Sequence, residues 1–142
     1  MRYNFLGRTG VKVSELCLGT MTFGTQTNET EAHAQMDCAL DGGVNFIDSA
    51  EMYPVNPVSA ETTGWTEEII GAWNIKNPAR RCDYILATKH SGEGMSYVRD
   101  GAPISSKTIA KTIEGNLQRP QTDYIDLYQF HWPNRGSYMF RK

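Results

Sequence analysis

Apolar positions along the chain switch between two periods, and the switch repeats. The opening Tyr3-Asn4-Phe5-Leu6-Gly7-Arg8-Thr9-Gly10-Val11-Lys12-Val13 alternates apolar and polar residues around two glycines, which predicts a short β-hairpin, an appendage or lid ahead of the first apolar run. Leu16-Cys17-Leu18 then reads as a short buried strand ending at Gly19. After a loop, Asn28 or Thr30 offers a helix N-cap, and Glu29 and Glu31 stand where the helix dipole favours negative charge. Ala32, Met36, Ala39 and Leu40 recur at helical spacing until Gly42-Gly43 stops the helix. The unit repeats. Val44-Asn45-Phe46-Ile47 predicts a second strand, followed by a long loop with Pro54 and Pro57 and a helix over Glu67–Asn74 capped by Thr66. Tyr84-Ile85-Leu86-Ala87-Thr88 predicts a third strand, then a glycine-rich loop and a helix capped by Ser105 or Ser106 with Ile109, Ile113 and Leu117 as its apolar stripe. Tyr124–Phe130 predicts a fourth strand, followed by His131-Trp132-Pro133 and a short polar tail. Strands alternating with helices imply an α/β fold with parallel strands and right-handed crossovers.

Composition narrows the class. The 142 residues fit one domain over 1–142, and 39% hydrophobic with 21% charged residues is ordinary for a folded globular chain. Fourteen Lys+Arg against sixteen Asp+Glu leave a net charge of −2 with no basic block, which argues against a nucleic-acid partner. No apolar run has the length of a membrane span or a signal peptide, so the expected location is cytoplasmic. Cys17, Cys38 and Cys82 are odd in number and widely spaced, which predicts buried thiols in a reducing compartment rather than disulfides.

In parallel α/β folds, function gathers at the carboxyl ends of the strands. Gly19-Thr20-Met21 follows the first strand, Asp48 ends the second with Tyr53 just beyond, Lys89 ends the third and His131 the fourth. Taken singly, each has an ordinary explanation: a turn-capping Asp, a packed Tyr, a solvated Lys, a satisfied core His. Together they place an acid, a phenol, an ammonium and an imidazole on one rim. A phenol ordinarily titrates near ~10, and a neighbouring ammonium lowers that value. A carboxylate holds the ammonium, and an imidazole can orient a carbonyl oxygen as negative charge builds there. The set suits proton delivery to a carbonyl oxygen while hydride reaches its carbon, and since no side chain donates hydride, a nicotinamide cofactor is implied. The Gly-x-Gly-x-x-Gly fingerprint is absent, which argues against a Rossmann fold and for a barrel. His33, His90 and His131 lack zinc-ligand spacing, so no metal is expected, and Ser91-Gly92 lacks the hydrolase elbow.

These residues resemble the aldo-keto reductases over nearly the whole chain. Leu6-Gly7-Arg8-Thr9-Gly10 and Leu18-Gly19-Thr20-Met21-Thr22-Phe23-Gly24 are similar to the family's opening, and Gly42–Tyr53, containing Asp48-Ser49-Ala50-Glu51-Met52-Tyr53, resembles its second-strand signature. Thr88-Lys89 and Thr122–Gln129 followed by His131-Trp132-Pro133 resemble the third and fourth strand motifs, and the long loops with Pro133-Asn134-Arg135 look most like the bacterial Tas-like branch. The resemblance implies that Tyr53 is the general acid, that Lys89 lowers its pKa, that Asp48 pairs with Lys89, and that His131 orients a small carbonyl substrate. It implies NADPH, with Gly19, Thr20, Met21 and Asp48 near the nicotinamide and its ribose. Met21, Phe23 and Trp132 would line the substrate pocket, or equally serve as packed core and loop residues. Pro120 and Ser49 stand where the family commonly has leucine and threonine; Pro120 should end its helix early and push Arg119 out of helical geometry.

The implied fold is a (β/α)₈ TIM barrel, typically about 250 residues. The chain supplies the hairpin, four strands and three helices, the first half only. The family's remaining cofactor contacts come from later strands. A half-barrel alone should expose strand edges and apolar surface and self-associate. Three readings follow: the N-terminal half of an NADPH-dependent carbonyl reductase, a non-catalytic nicotinamide-binding or regulatory module, or a truncated product without turnover.

Overall fold

A computed structural model describes residues 1–137; positions 138–142 of the expected polar tail lie outside the described residues. The hairpin pairs β1 (Tyr3–Phe5) with β2 (Lys12–Ser14), antiparallel, Tyr3 opposite Ser14. It is tied to the entrance of the second parallel strand: Tyr3 Oη donates to the Gly43 carbonyl at 2.7 Å, and the Asn45 amide oxygen accepts from Ser14 N at 2.7 Å. That entrance is opposite to the carboxyl ends of the strands. The hairpin therefore closes the floor of the fold and is no lid over the candidate site.

The remaining strands, β3 (Leu18–Gly19), β4 (Phe46–Asp48), β5 (Ile85–His90) and β6 (Leu127–Phe130), form one parallel sheet in that order. Helices α1 (Glu29–Asp41), α2 (Trp65–Lys76) and α3 (Ser106–Gln118) make the crossovers. Asn28 caps α1 through a reciprocal capping box with Glu31, and Ser105 caps α3 likewise with Thr108. The core between sheet and helices packs Phe23, Ala32, Met36, Ile47, Ile70, Trp73, Tyr84 and Leu86, each no more than 1% exposed.

Four local expectations are corrected. The cap of α2 is Gly64, not Thr66: Gly64 takes a left-handed φ of 93°, the helix starts at Trp65, and the Thr66 hydroxyl instead donates to the Phe23 carbonyl at 2.8 Å. On α3, Thr112 and Asn116 are the buried positions, while Ile109, Ile113 and Leu117 are half-buried. Asn116 is drawn there by Glu67, buried on α2, which accepts from its side-chain amide at 2.7 Å, while the buried Thr112 hydroxyl has no hydrogen-bond partner among the described residues. Arg119 keeps helical geometry (φ −60°, ψ −51°) before Pro120, because its guanidinium donates to Glu67 at 2.7 Å. Cys17, Cys38 and Cys82 are all exposed. Cys38, for instance, lies on α1 two residues beyond buried Met36, which turns it away from the core.

Candidate active site

Register alone aligns the polar groups. Side chains alternate across a strand, so Thr88 faces the helices, where its hydroxyl donates to Glu67 at 2.5 Å, and Lys89 faces the opposite side. Gln129 is the pairing partner of Lys89 and shares its face; Asp48 pairs with Gly19 on one side and Ala87 on the other. The Lys89 ammonium donates to Asp48 Oδ2 at 2.5 Å and to the Ser49 carbonyl at 2.7 Å, and Gln129 Nε2 donates to Asp48 Oδ1 at 3.3 Å. Thr20 fixes the same corner, donating from both its amide (3.0 Å) and its hydroxyl (2.8 Å) to the Asp48 carbonyl.

Tyr53 is carried over this rim by the loop after β4. Its ring lies 5.5 Å from the His131 ring, edge to face at 81°, and the Lys89 ammonium sits 5.1 Å from the Tyr53 ring centre. His131 is set by its own amide, which donates to the His90 carbonyl at 2.8 Å as β6 ends. Asp48, Tyr53, Lys89 and His131 are thus brought together.

Burial, reinforced by Asp48, pushes the Tyr53 phenol above its ordinary value. That is opposite to the expected lowering by Lys89. The ammonium is neutralised by Asp48 and lies over the ring, not at the phenol oxygen, so desolvation wins. Burial, then the Lys89 charge, holds His131 down at about 4 against Asp48 and Glu51, so the imidazole is neutral near pH 7. Its buried Nδ1 has no hydrogen-bond partner among the described residues.

The other expected residues separate. Met21 is 46% exposed beside the rim, and its carbonyl accepts from Val55 N at 2.8 Å, linking two loops. Gly19 is exposed, with open space where a Cβ would stand. Trp132 is buried beside Tyr53, its ring 5.2 Å from that of His131. Phe23, 1% exposed, belongs to the core against α1 and α2 and offers no surface to a substrate, because its loop turns back under the helices. Gln129 was not among the expected site residues; its place opposite Lys89 is a matter of register. No cluster of potential metal ligands exists among the described residues.

Comparison with known proteins gives the family and the fold. Residues 15–140 match the model of the Aldo/keto reductase family. The chain is 44% identical to Protein tas of Escherichia coli over 145 aligned residues, covering all of this chain and 41% of that protein. It is 45% identical to the uncharacterized oxidoreductase YrpG of Bacillus subtilis, covering 96% of this chain and 42% of that protein. Among solved structures, the holo form of aldo-keto reductase AKR11C1 from Bacillus halodurans superposes with a TM-score of 0.74 at 36% identity, over 92% of this chain and 40% of that one. The chain therefore spans about two fifths of the length of the relatives it matches.

Proposed function

Because this chain belongs to the aldo/keto reductase family, with part of a (β/α)₈ barrel as its fold, we propose that it carries the proton-transfer half of an NADPH-dependent carbonyl reductase. Residues 1–142 would be one part of a single barrel domain acting on small aldehydes or ketones in the cytoplasm. No helix among the described residues is long and apolar enough to cross a membrane.

The observation that carries this reading is the convergence of Tyr53, Lys89, Asp48 and His131 at the carboxyl ends of three adjacent strands. Tyr53 holds its proton near neutrality, and because burial raises its pKa the resting phenol is a weak acid whose proton transfer depends on the nearby Lys89 charge and on the negative charge that builds on a carbonyl oxygen. Neutral His131 can donate one N–H to that oxygen and hold it beside the phenol. Lys89, fixed by Asp48 and the Ser49 carbonyl with its ammonium 5.1 Å from the Tyr53 ring centre, would favour the phenolate only as the proton leaves, since in the resting site its charge is offset by Asp48 and outweighed by desolvation. Met21 and Trp132 would form the substrate's apolar walls.

The rim fits a nicotinamide cofactor. Gly19 leaves open space, Asp48 keeps 29% of its side chain exposed, and His131 Nδ1 has no protein partner among the described residues. Gly19, Thr20, Met21 and Asp48 would hold the nicotinamide and ribose. When bound, that group supplies the hydride.

The test uses the complete gene product that contains this chain. NADPH-dependent reduction of a simple aldehyde is expected, and Tyr53→Phe should lower kcat by about 10²–10⁴-fold while leaving cofactor affinity unchanged. A Tyr53→Phe enzyme as fast as the parent overturns the assignment.

A further inference from the structure

Beside the four groups lies a buried cluster that the proposed chemistry leaves unused. Glu51 is 6% exposed, and its Oε1 accepts from the Ser91 amide at 2.5 Å and from the Arg99 guanidinium. Arg99 Nη2 donates to the Ser91 carbonyl at 2.7 Å. His90 Nδ1 lies 2.6 Å from the same carbonyl, so it carries the proton there, and His90 and Ser91 are both fully buried. Arg99 and Asp100 have left-handed φ values of 53° and 56°, a conformation that non-glycine residues hold only when their surroundings impose it.

The cluster joins the three backbone segments that bear the reacting groups. Glu51 lies two residues before Tyr53, and its amide donates to the Lys89 carbonyl at 3.2 Å. Ser91 lies two residues after Lys89. The His90 carbonyl accepts from the His131 amide at 2.8 Å. Met95 and Val98, from the loop that Arg99 ends, pack with Tyr53 and Trp132. A buried ion pair is seldom the most stabilising way to fill such a space, since both charges lose water. What this one adds is geometry: a planar guanidinium bridges Glu51 and the Ser91 carbonyl at fixed angles.

We propose that Glu51 and Arg99 are positioning residues, a clamp that fixes the loop after β5 and through it sets Tyr53 against His131. The proposal rests on the reductase reading for the identity of the groups it positions. A clamp of this kind acts on turnover more than on binding, because a displacement of about 1 Å between reacting groups costs up to ~10²-fold in rate.

The test is made on the complete gene product, with Glu67→Gln as the comparison. Glu67 is equally buried and pairs with Arg119, but on the helix side of the sheet. Glu51→Gln and Arg99→Met are expected to lower kcat by about 10–100-fold with cofactor affinity unchanged. They should also weaken the nuclear Overhauser contact between the Tyr53 and His131 rings. Glu67→Gln should lower the melting temperature yet leave kcat and the ring contact intact below the melt. Arg99→Lys keeps the charge but cannot bridge both oxygens; it carries the same test if Glu51→Gln does not fold. Parental kcat and ring contact in the folded variants overturn the clamp. If the parent shows no turnover, the reductase reading fails alone, and the ring contact then decides the clamp: lost in the variants, it stands; kept, it falls.

Discussion

Burial of the His131 ring at the rim leaves it titrating at about 4, against an ordinary 6.5, with Lys89 also disfavouring charge and Asp48 and Glu51 favouring it. Between those two values the unfolded chain binds a proton that the folded chain does not. Stability should therefore fall as pH drops from 6.5 toward 4 and gain nothing more from this group above 6.5. His90, lowered chiefly by burial, acts in the same direction. The denaturation midpoint of His131→Gln should depend less steeply on pH in this window than that of the parent; equal slopes would show that the ring is hydrated. At this scale the four rim residues were legible in the sequence because strand ends can be read from apolar runs. Glu51 and Gln129 were not, because nothing local distinguishes a buried glutamate from an exposed one.

Among the elements, α2 and α3 meet more closely than their sequences indicate. A Cβ on Gly71 would stand 2.1 Å from the Arg119 carbonyl oxygen and 3.1 Å from the Pro120 carbonyl carbon, and Asn74 Nδ2 donates to the Pro120 carbonyl at 2.7 Å. Gly71→Ala would normally strengthen a helix by about 1 kcal/mol. Here it should destabilise by about 1–3 kcal/mol, as overpacking does, read as a lower urea midpoint; a raised midpoint would mean that α3 moves aside freely. Pro120 thus does not loosen the joint, since its carbonyl is a hydrogen-bond acceptor for α2. The existence and order of the elements followed from periodicity. Their exact starts did not: the run Leu16–Leu18 became the short strand Leu18–Gly19, with Leu16 61% exposed, because pairing with Ile47 and Asp48 selects the residues that enter the sheet.

For the molecule as a whole, β3 and β6 each have one strand neighbour among the described residues, and Leu16, Met21 and Phe130 are 61%, 46% and 56% exposed. Open edges with apolar neighbours invite pairing. The isolated 142-residue chain should show a mass that rises with concentration above its 16.0 kDa in sedimentation experiments. A constant 16.0 kDa species with a single cooperative melt would count against this.

The sequence by itself determined the alternation of strands and helices, the family, and the residue types at each strand end, since these depend on local period and motif. Only the tertiary structure decided what surrounds them. It placed Phe23 in the core and the hairpin under the floor, raised the Tyr53 phenol, and joined Glu51 to Arg99 across 48 residues. Burial and long-range pairing set those outcomes, and both are properties of the packed chain, absent from any stretch of it.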